Sequence, residues 1–266
     1  MKLSVTTLGC PDWSFAKILD EVPRIGFAGI EIRGVDGKMR AEEIEAFSAE
    51  HAEATKALVA SKHLEMMGFG TSVMFHDDEK FDAALIEGRL AIDVAQQMGI
   101  PAIRVFGDKI DGDAERVIAN VVKGMGELCD YAEGKSVDVL LEIHGNFNTI
   151  ESVQPVIEQL KDKPAFGILW DIEHSDKTYG DNWRAFYDVV KPYVRHTHIK
   201  DHHRADGQFL LCLTGEGDIP IADIVNTLRA DGYDGWYSLE WEKKWHPELP
   251  EPEIAFPGYV EFMKGI

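Results

Sequence analysis

Eight short runs rich in β-branched and aromatic residues recur along this chain, and a longer stretch separates each from the next. They begin with Leu3–Leu8, Gly29–Arg33, His63–Phe69 and Ala102–Phe106, and continue with Val137–Ile143, Phe166–Asp171, Val194–Ile199 and Gly235–Trp241. Strands separated by helices cannot close as hairpins, so they pair in parallel through right-handed crossovers. Eight such units in 266 residues suit one closed (β/α)8 barrel spanning residues 1–266 as a single α/β domain. An open nucleotide-binding sheet would often carry G-x-G-x-x-G after an early strand, and no such fingerprint is present.

Helical patterning is clearest in Phe15–Ile25, Ala41–Ala60 and Glu79–Gln97. In the last of these, Phe81, Leu85, Leu90 and Val94 form an apolar stripe opposite charged residues. Ser14 is placed to cap the first helix and Gly26 to end it, while Gly99 ends the third. Thr71–Asp78, with Met74, Phe75 and His76, reads as a longer loop and a lid over the barrel mouth. No linker or low-complexity stretch divides the chain.

With 45% hydrophobic residues the chain can bury a large core without staples. Its three cysteines, Cys10, Cys129 and Cys212, are far apart and form no C-x-x-C pair, which fits a reduced, cytoplasmic setting. The N-terminus reads as a strand rather than a secretory signal, and no apolar run is long enough to span a bilayer. The net charge of −20 argues against a nucleic-acid partner, which demands a basic footprint.

Barrel enzymes place their chemistry at the C-terminal ends of the strands. The last four strands end as LLEIHGN, ILWDIEH, HTHIKD and YSLEWE, so Glu142, Asp171, His198 and Glu240 all fall near that end. Buried carboxylates are costly unless paired or metal-bound, so four such residues on consecutive strands point to one shared site. Three carboxylate oxygens and an imidazole suit one divalent ion, Mn2+, Mg2+ or Co2+ before Zn2+. Around them, Lys200 shares the His198 face and is placed to bind substrate or to pair with Asp171 or Glu240. His144 shares the Glu142 face and is read as a substrate or orienting residue. Trp13 and Trp241 are candidate sugar-stacking walls. His196 reads as a packed core histidine; His202, His203 and His246 read as exposed.

The motifs GCPDWSF (Gly9–Phe15), GFAGIEIRG (Gly26–Gly34), RVFG (Arg104–Gly107), EIHGN, DIEH, HTHIKD and SLEWE, in that order, run through nearly the whole chain. In this the sequence resembles the sugar phosphate isomerase/epimerase superfamily with its xylose isomerase-like TIM barrel, which includes ketose 3-epimerases, hydroxypyruvate isomerases and inosose dehydratases. The resemblance implies the same four metal ligands. It also implies that His174 and Arg204 bind substrate oxygens and that Glu31 holds a substrate hydroxyl, the alternative for Glu31 being an internal ion pair with an arginine such as Arg104.

These readings converge on a metal-dependent isomerase or epimerase of a ketose-type sugar. Glu142 and Glu240 would act as an acid–base pair on a proton beside a carbonyl, while the ion stabilises the enediolate. Elimination of water from a keto-cyclitol, as in inosose dehydratases, uses the same ligands and is the alternative. An endonuclease IV-like phosphodiesterase would need histidines at the third and fourth strand ends, where Phe69–Gly70 and Phe106–Gly107 stand. A non-catalytic sugar-binding protein is the remaining class. Arg204, Lys200, Lys243 and Lys244 could form a small anion pocket, but no Gly-rich phosphate-binding loop follows strands seven or eight, and an unphosphorylated sugar or cyclitol is the expected substrate. Relatives of this kind are often homodimers or homotetramers.

Overall fold

The computed structural model describes residues 1–266 and contains the closed barrel. Its strands are β1 (Lys2–Thr6), β2 (Gly29–Ile32), β3 (Glu65–Met74), β4 (Ala102–Phe106), β5 (Asp138–Glu142), β6 (Phe166–Asp171) and β7 (Val194–Ile199), with the eighth supplied by β10 (Trp236–Leu239). They pair in parallel in the order β1-β10-β7-β6-β5-β4-β3-β2, and β2 closes back on β1. Between β7 and β10 an antiparallel hairpin is inserted, β8 (Asp201–Ala205) with β9 (Gln208–Cys212). No helix is long and apolar enough to cross a membrane.

The outer ring comprises α1 (Phe15–Ile25), α2 (Ala52–Ser61), α3 (Phe81–Met98), α4 (Ala114–Ala132), α5 (Ile150–Leu160), α6 (Ile172–Tyr179), α7 (Trp183–Val190), α8 (Ile221–Ala230) and α9 (Pro252–Lys264). The Ser14 hydroxyl accepts the Lys17 N–H, and Gly26 closes α1 with a φ of 119°, so both sequence signals at that helix hold. The long helix expected over Ala41–Ala60 is instead two 3-10 turns followed by α2. Ala41, Ile44 and Phe47 repeat every third residue and are all buried, a period that fits the tighter helix rather than 3.6.

Two further expectations change around β3. His63 sits at a φ of 57°, which no strand adopts, so β3 starts at Glu65. The first half of the supposed lid, Thr71–Met74, is an extension of β3: the Thr71 hydroxyl donates to the Arg104 carbonyl at 2.6 Å, and the Val73 N–H donates to Thr71 Oγ1 at 3.1 Å. Val73 and Phe75 are buried, and the strand bulges between Gly70 and Met74 to reach Phe106 of β4. This segment is wall, not lid.

The apolar core lies between strands and helices, where each buried Leu or Ile contributes about 1.5–3 kcal/mol. Inside the barrel only Ala102, Leu140 and Leu169 form a small separate apolar plug. Above that plug the interior is polar. The three cysteines are unpaired, and burial pushes their thiols up to about 12, which leaves them unreactive.

The hairpin is fastened by charge. His202 is fully buried, with Nδ1 3.0 Å from Glu173 and Nε2 2.9 Å from Asp176, both on α6. It is therefore a lock rather than the exposed residue expected, whereas His203 and much of His246 do face solvent. Asp201 anchors the following loop: its carboxylate accepts N–H bonds from His202, Gly215, Gly217 and Ile219. That arrangement explains the glycines of the LTGEGDIP stretch.

Two predictions follow from this packing. A Cβ at Gly124 of α4 would stand 2.4 Å from the Phe75 ring. Overpacking of that kind costs about 1–3 kcal/mol, against a gain of about 0.5–1 kcal/mol for removing a helical glycine. Gly124→Ala is thus expected to lower the urea midpoint; an unchanged midpoint would contradict the close Phe75 contact. Burial lowers the His202 pKa, but Asp176 and Glu173 outweigh it and raise the group to about 9. A raised imidazole pKa gives stability that is complete below about pH 6.5 and is lost as pH rises through about 9. The melting-temperature advantage of wild type over His202→Gln should therefore be larger at pH 6 than at pH 10. An advantage that does not change with pH would argue against the charged lock.

Candidate metal centre

Four side chains from the ends of β5, β6, β7 and β10 meet inside the mouth. Glu142, Asp171, His198 and Glu240 are all buried, and one donor atom from each lies within 4.8 Å of the others. Neighbouring parallel strands in register make this possible: Asp171 pairs with His198, and His198 with Ser238, two residues before Glu240.

Each side chain is aimed by a second contact. Asp171 caps α6, its Oδ1 accepting the Glu173 N–H at 2.9 Å and the His174 N–H at 3.3 Å, which turns Oδ2 into the mouth. His198 presents Nδ1 to Glu142 at 3.0 Å and to Glu240 at 3.4 Å, while Nε2 rests on Glu31. A carboxylate behind the imidazole is the usual device for fixing a ligand histidine. Glu31 in turn is held by His196 at 2.9 Å and by the Ser238 hydroxyl at 3.2 Å. The internal arginine pair considered for Glu31 is absent, because Arg104 goes to Glu142. The expected substrate hydroxyl gives way to these histidines, since Glu31 lies only 2% exposed beneath them.

The charges are interleaved. Lys200 is buried, with Nζ 2.9 Å from Asp171 and 2.6 Å from Glu240, and also bonds Glu242. Burial opposes ionisation of Glu240, yet His198 and Lys200 hold it well below the usual carboxylate range. Burial likewise opposes ionisation of Glu142, and Arg104 is the main group keeping it low. For Asp171 burial prevails over Lys200 and pushes the carboxyl up to about 7. Burial would lower His198, but Glu240 and Glu31 lift it well above an ordinary imidazole.

The group has the chemistry of a cation site. Glu142 Oε2 and Asp171 Oδ2 are buried and make no aligned hydrogen bond, and each instead has a cation beside it, Arg104 Nε at 3.1 Å and Lys200 Nζ at 2.9 Å. Three carboxylates and one imidazole converging in this way suit a divalent metal with positions left for substrate.

The remaining expected residues divide. His144 and His174 do reach the mouth, their ring centroids 4.1 Å apart, and Phe106 lies 4.6 Å from His144. The two histidines stand where the sequence placed them, and Phe106, which alternates with Arg104 along β4, completes the wall. Gly145 sets His144 there: its φ is 56°, and a Cβ would stand 2.7 Å from the Asp108 carbonyl oxygen. Arg204 is instead engaged by Asp176 and Asp181 at the hairpin. Trp13 packs edge-on against Phe256 and lines a cavity with Arg33 and Lys244. Trp241 is core, its indole N–H donating to the Pro250 carbonyl at 2.9 Å. The four cations considered for one anion pocket are scattered, with Lys243 bonded to the Pro247 and Leu249 carbonyls.

A profile of the xylose isomerase-like TIM barrel family matches residues 19–258. The chain is 22% identical to a fructoselysine 3-epimerase of Shigella flexneri over 252 residues, covering 90% of each. Among solved structures it superposes on the probable 3-DHS dehydratase AsbF of Bacillus anthracis with a TM-score of 0.80, at 19% identity and 99% coverage of both chains. It also superposes on IOLI protein with a bound zinc atom, TM-score 0.80 at 17% identity, covering 98% of this chain and 96% of that one. Those two likenesses speak to fold, and the profile spans most of the sequence: the chain belongs to the xylose isomerase-like TIM barrel family.

Proposed function

We propose that the protein is a divalent-metal-dependent sugar isomerase or epimerase that works by proton transfer, with Mn2+, Mg2+ or Co2+ as the natural ion and Zn2+ as a further candidate. One observation carries this reading: the buried convergence of Glu142, Asp171, His198 and Glu240, one donor atom of each within 4.8 Å of the others. The likeness to a fructoselysine 3-epimerase supports it.

Glu142, Asp171, His198 and Glu240 would hold the ion, with His198 coordinating through Nδ1 because Nε2 is committed to Glu31. When bound, the ion supplies Lewis-acid polarisation of a sugar carbonyl and its neighbouring hydroxyl. Glu142 and Glu240 come from β5 and from the end of β10 and flank the space in front of Asp171 and His198. One carboxylate removes the proton from the carbon beside the carbonyl, and the other returns a proton from the opposite side. Inverting a stereocentre needs both carboxylates; an aldose–ketose shift needs one. Lys200, already shared between Asp171 and Glu240, is the cation placed to steady the oxygen that gains charge. His144, His174 and Phe106 wall the mouth and exclude water from one side of the sugar.

Two measurements test the reading. Protein stripped with a chelator should take up one equivalent of Mn2+ by calorimetry. Asp171→Asn should weaken that uptake by more than the about tenfold to hundredfold that outer partners contribute. Stoichiometric uptake unaffected by Asp171→Asn would place the ion elsewhere. The reloaded protein is then incubated in D2O with ketoses, aldoses and inososes. Metal-dependent deuterium incorporation into a product of conserved mass is expected, and Glu240→Gln should slow it about 10²–10⁴-fold. Products lighter by one water would reassign the chemistry to a cyclitol dehydratase. Absence of both uptake and exchange would sink the proposal.

A further inference from the structure

The side of the mouth formed by β2, β3 and β4 contributes none of the four proposed ligands, its one carboxylate, Glu31, being held by His196 and His198, and it carries two arginines. Arg33 follows β2 on the same face as Glu31, and Arg104 lies on β4. Between them β3 contributes only Gly70. A Cβ at Gly70 would stand 2.8 Å from Arg33 Cδ and 3.0 Å from Arg104 Nη2, so the glycine is what allows both side chains into the mouth.

Arg33 has no carboxylate within ion-pair distance, and Arg104 has only Glu142, which it shares with His198. Arg104 is 4% exposed, and its Nε lies 3.1 Å from Glu142 Oε2. That N–H is not aimed at the oxygen, and both Nε and Nη1 of Arg104 lack a hydrogen-bond partner. Buried Nη1 of Arg33 also lacks one, while Nη2 donates only to the neutral Ser72 hydroxyl at 3.2 Å. The outer carboxylates that might serve are otherwise occupied: Glu87 accepts from the Ser72 N–H and from Arg40, and Asp36 accepts from the Phe15 N–H. Burial and the neighbouring Arg104 together pull the Arg33 guanidinium down to about 10. Guanidiniums are shaped for bidentate contact with an oxyanion, and buried donors left unmade are expensive.

We infer that Arg33 and Arg104 form an oxyanion subsite on the wall opposite Asp171 and His198, and that the substrate is an acidic polyhydroxy ketone, one bearing a carboxylate or a phosphate. The inference rests on the proposed metal-dependent sugar chemistry and names its substrate class. Glu142 joins the two halves, bonding His198 on one side and facing Arg104 on the other. An anionic tail held by the arginines would therefore present the neighbouring carbons to Glu142.

The test uses the Mn2+-loaded full chain and measures affinity by calorimetry for three matched probes, D-fructose, D-fructuronate and D-fructose 6-phosphate, with inorganic phosphate as a bare anion. At least one acidic sugar should bind about tenfold or more tightly than fructose, and Arg33→Gln should remove that advantage. Arg33→Gln should still take up one equivalent of Mn2+, since Arg33 contacts none of the four proposed ligands. Arg33→Lys should recover only part of the advantage, because it keeps the charge without the fork. Preference for fructuronate identifies a carboxylate, and preference for the phosphate ester identifies a phosphoryl group. The inference is overturned if no anion binds more tightly than fructose, or if Arg33→Gln weakens acidic and neutral probes alike. Mn2+ uptake is read separately. Anion preference without Mn2+ uptake would leave the subsite standing and remove the metal reading, whereas Mn2+ uptake with equal binding of all sugars would do the reverse.

Discussion

Four carboxylates that cannot comfortably share a dry space set the terms for this fold. Glu31, Glu142, Asp171 and Glu240 are all buried inside one barrel, where like charges repel strongly. They coexist because cations are threaded between them. His198 touches Glu31, Glu142 and Glu240, and Lys200 touches Asp171, Glu240 and the next acid along, Glu242. Removing one partner from such a pair strands the other and typically costs about 3–5 kcal/mol. The mouth is therefore a destabilising element, tolerated because the apolar layer outside the strands is continuous and well packed.

That constraint also divides the mouth. Strands β5, β6 and β7 and the end of β10 carry the group suited to a cation. The opposite side, from β2 to β4, has the arginines and the two interior glycines of β3, Gly68 and Gly70. Gly68 lies against Glu31, and Gly70 leaves room for Arg33 and Arg104. A barrel with ordinary side chains at those positions would be filled by hydrocarbon there, as it is lower down by Ala102, Leu140 and Leu169.

The metal-competent residues were legible in the sequence because they obey a local rule: an acid or histidine near the C-terminal end of a strand, repeated four times. The barrel itself was legible for the same reason, from period and punctuation. What escaped is what depends on distant partners. Glu31 meets His196 and His198 across 165 and 167 positions, so nothing near it in sequence marks it as their counter-ion. His202 reads as a polar hairpin residue until α6 brings Glu173 and Asp176 against it. The wall at Thr71–Phe75 looked like a loop because the adjacent hydroxyls of Thr71 and Ser72 break strand alternation, and only pairing with β4 carries the strand on to Met74. Trp241 shows the opposite case, since its indole N–H is spent on the Pro250 carbonyl and a large aromatic near a mouth is more often packing than binding surface.

Asp171 does two jobs with two oxygens, ending a strand and starting a helix in the same residue. Whatever settles on its inward oxygen is thereby mechanically tied to the first turn of α6, and through Glu173 and Asp176 to the hairpin beyond. The segment from Asp171 to Asp176 should consequently tolerate neither insertion nor deletion, whereas the connections after β1 and β2 lie outside this linkage. Diversification of such a scaffold, natural or engineered, would then run along one rim of the barrel and stall on the other.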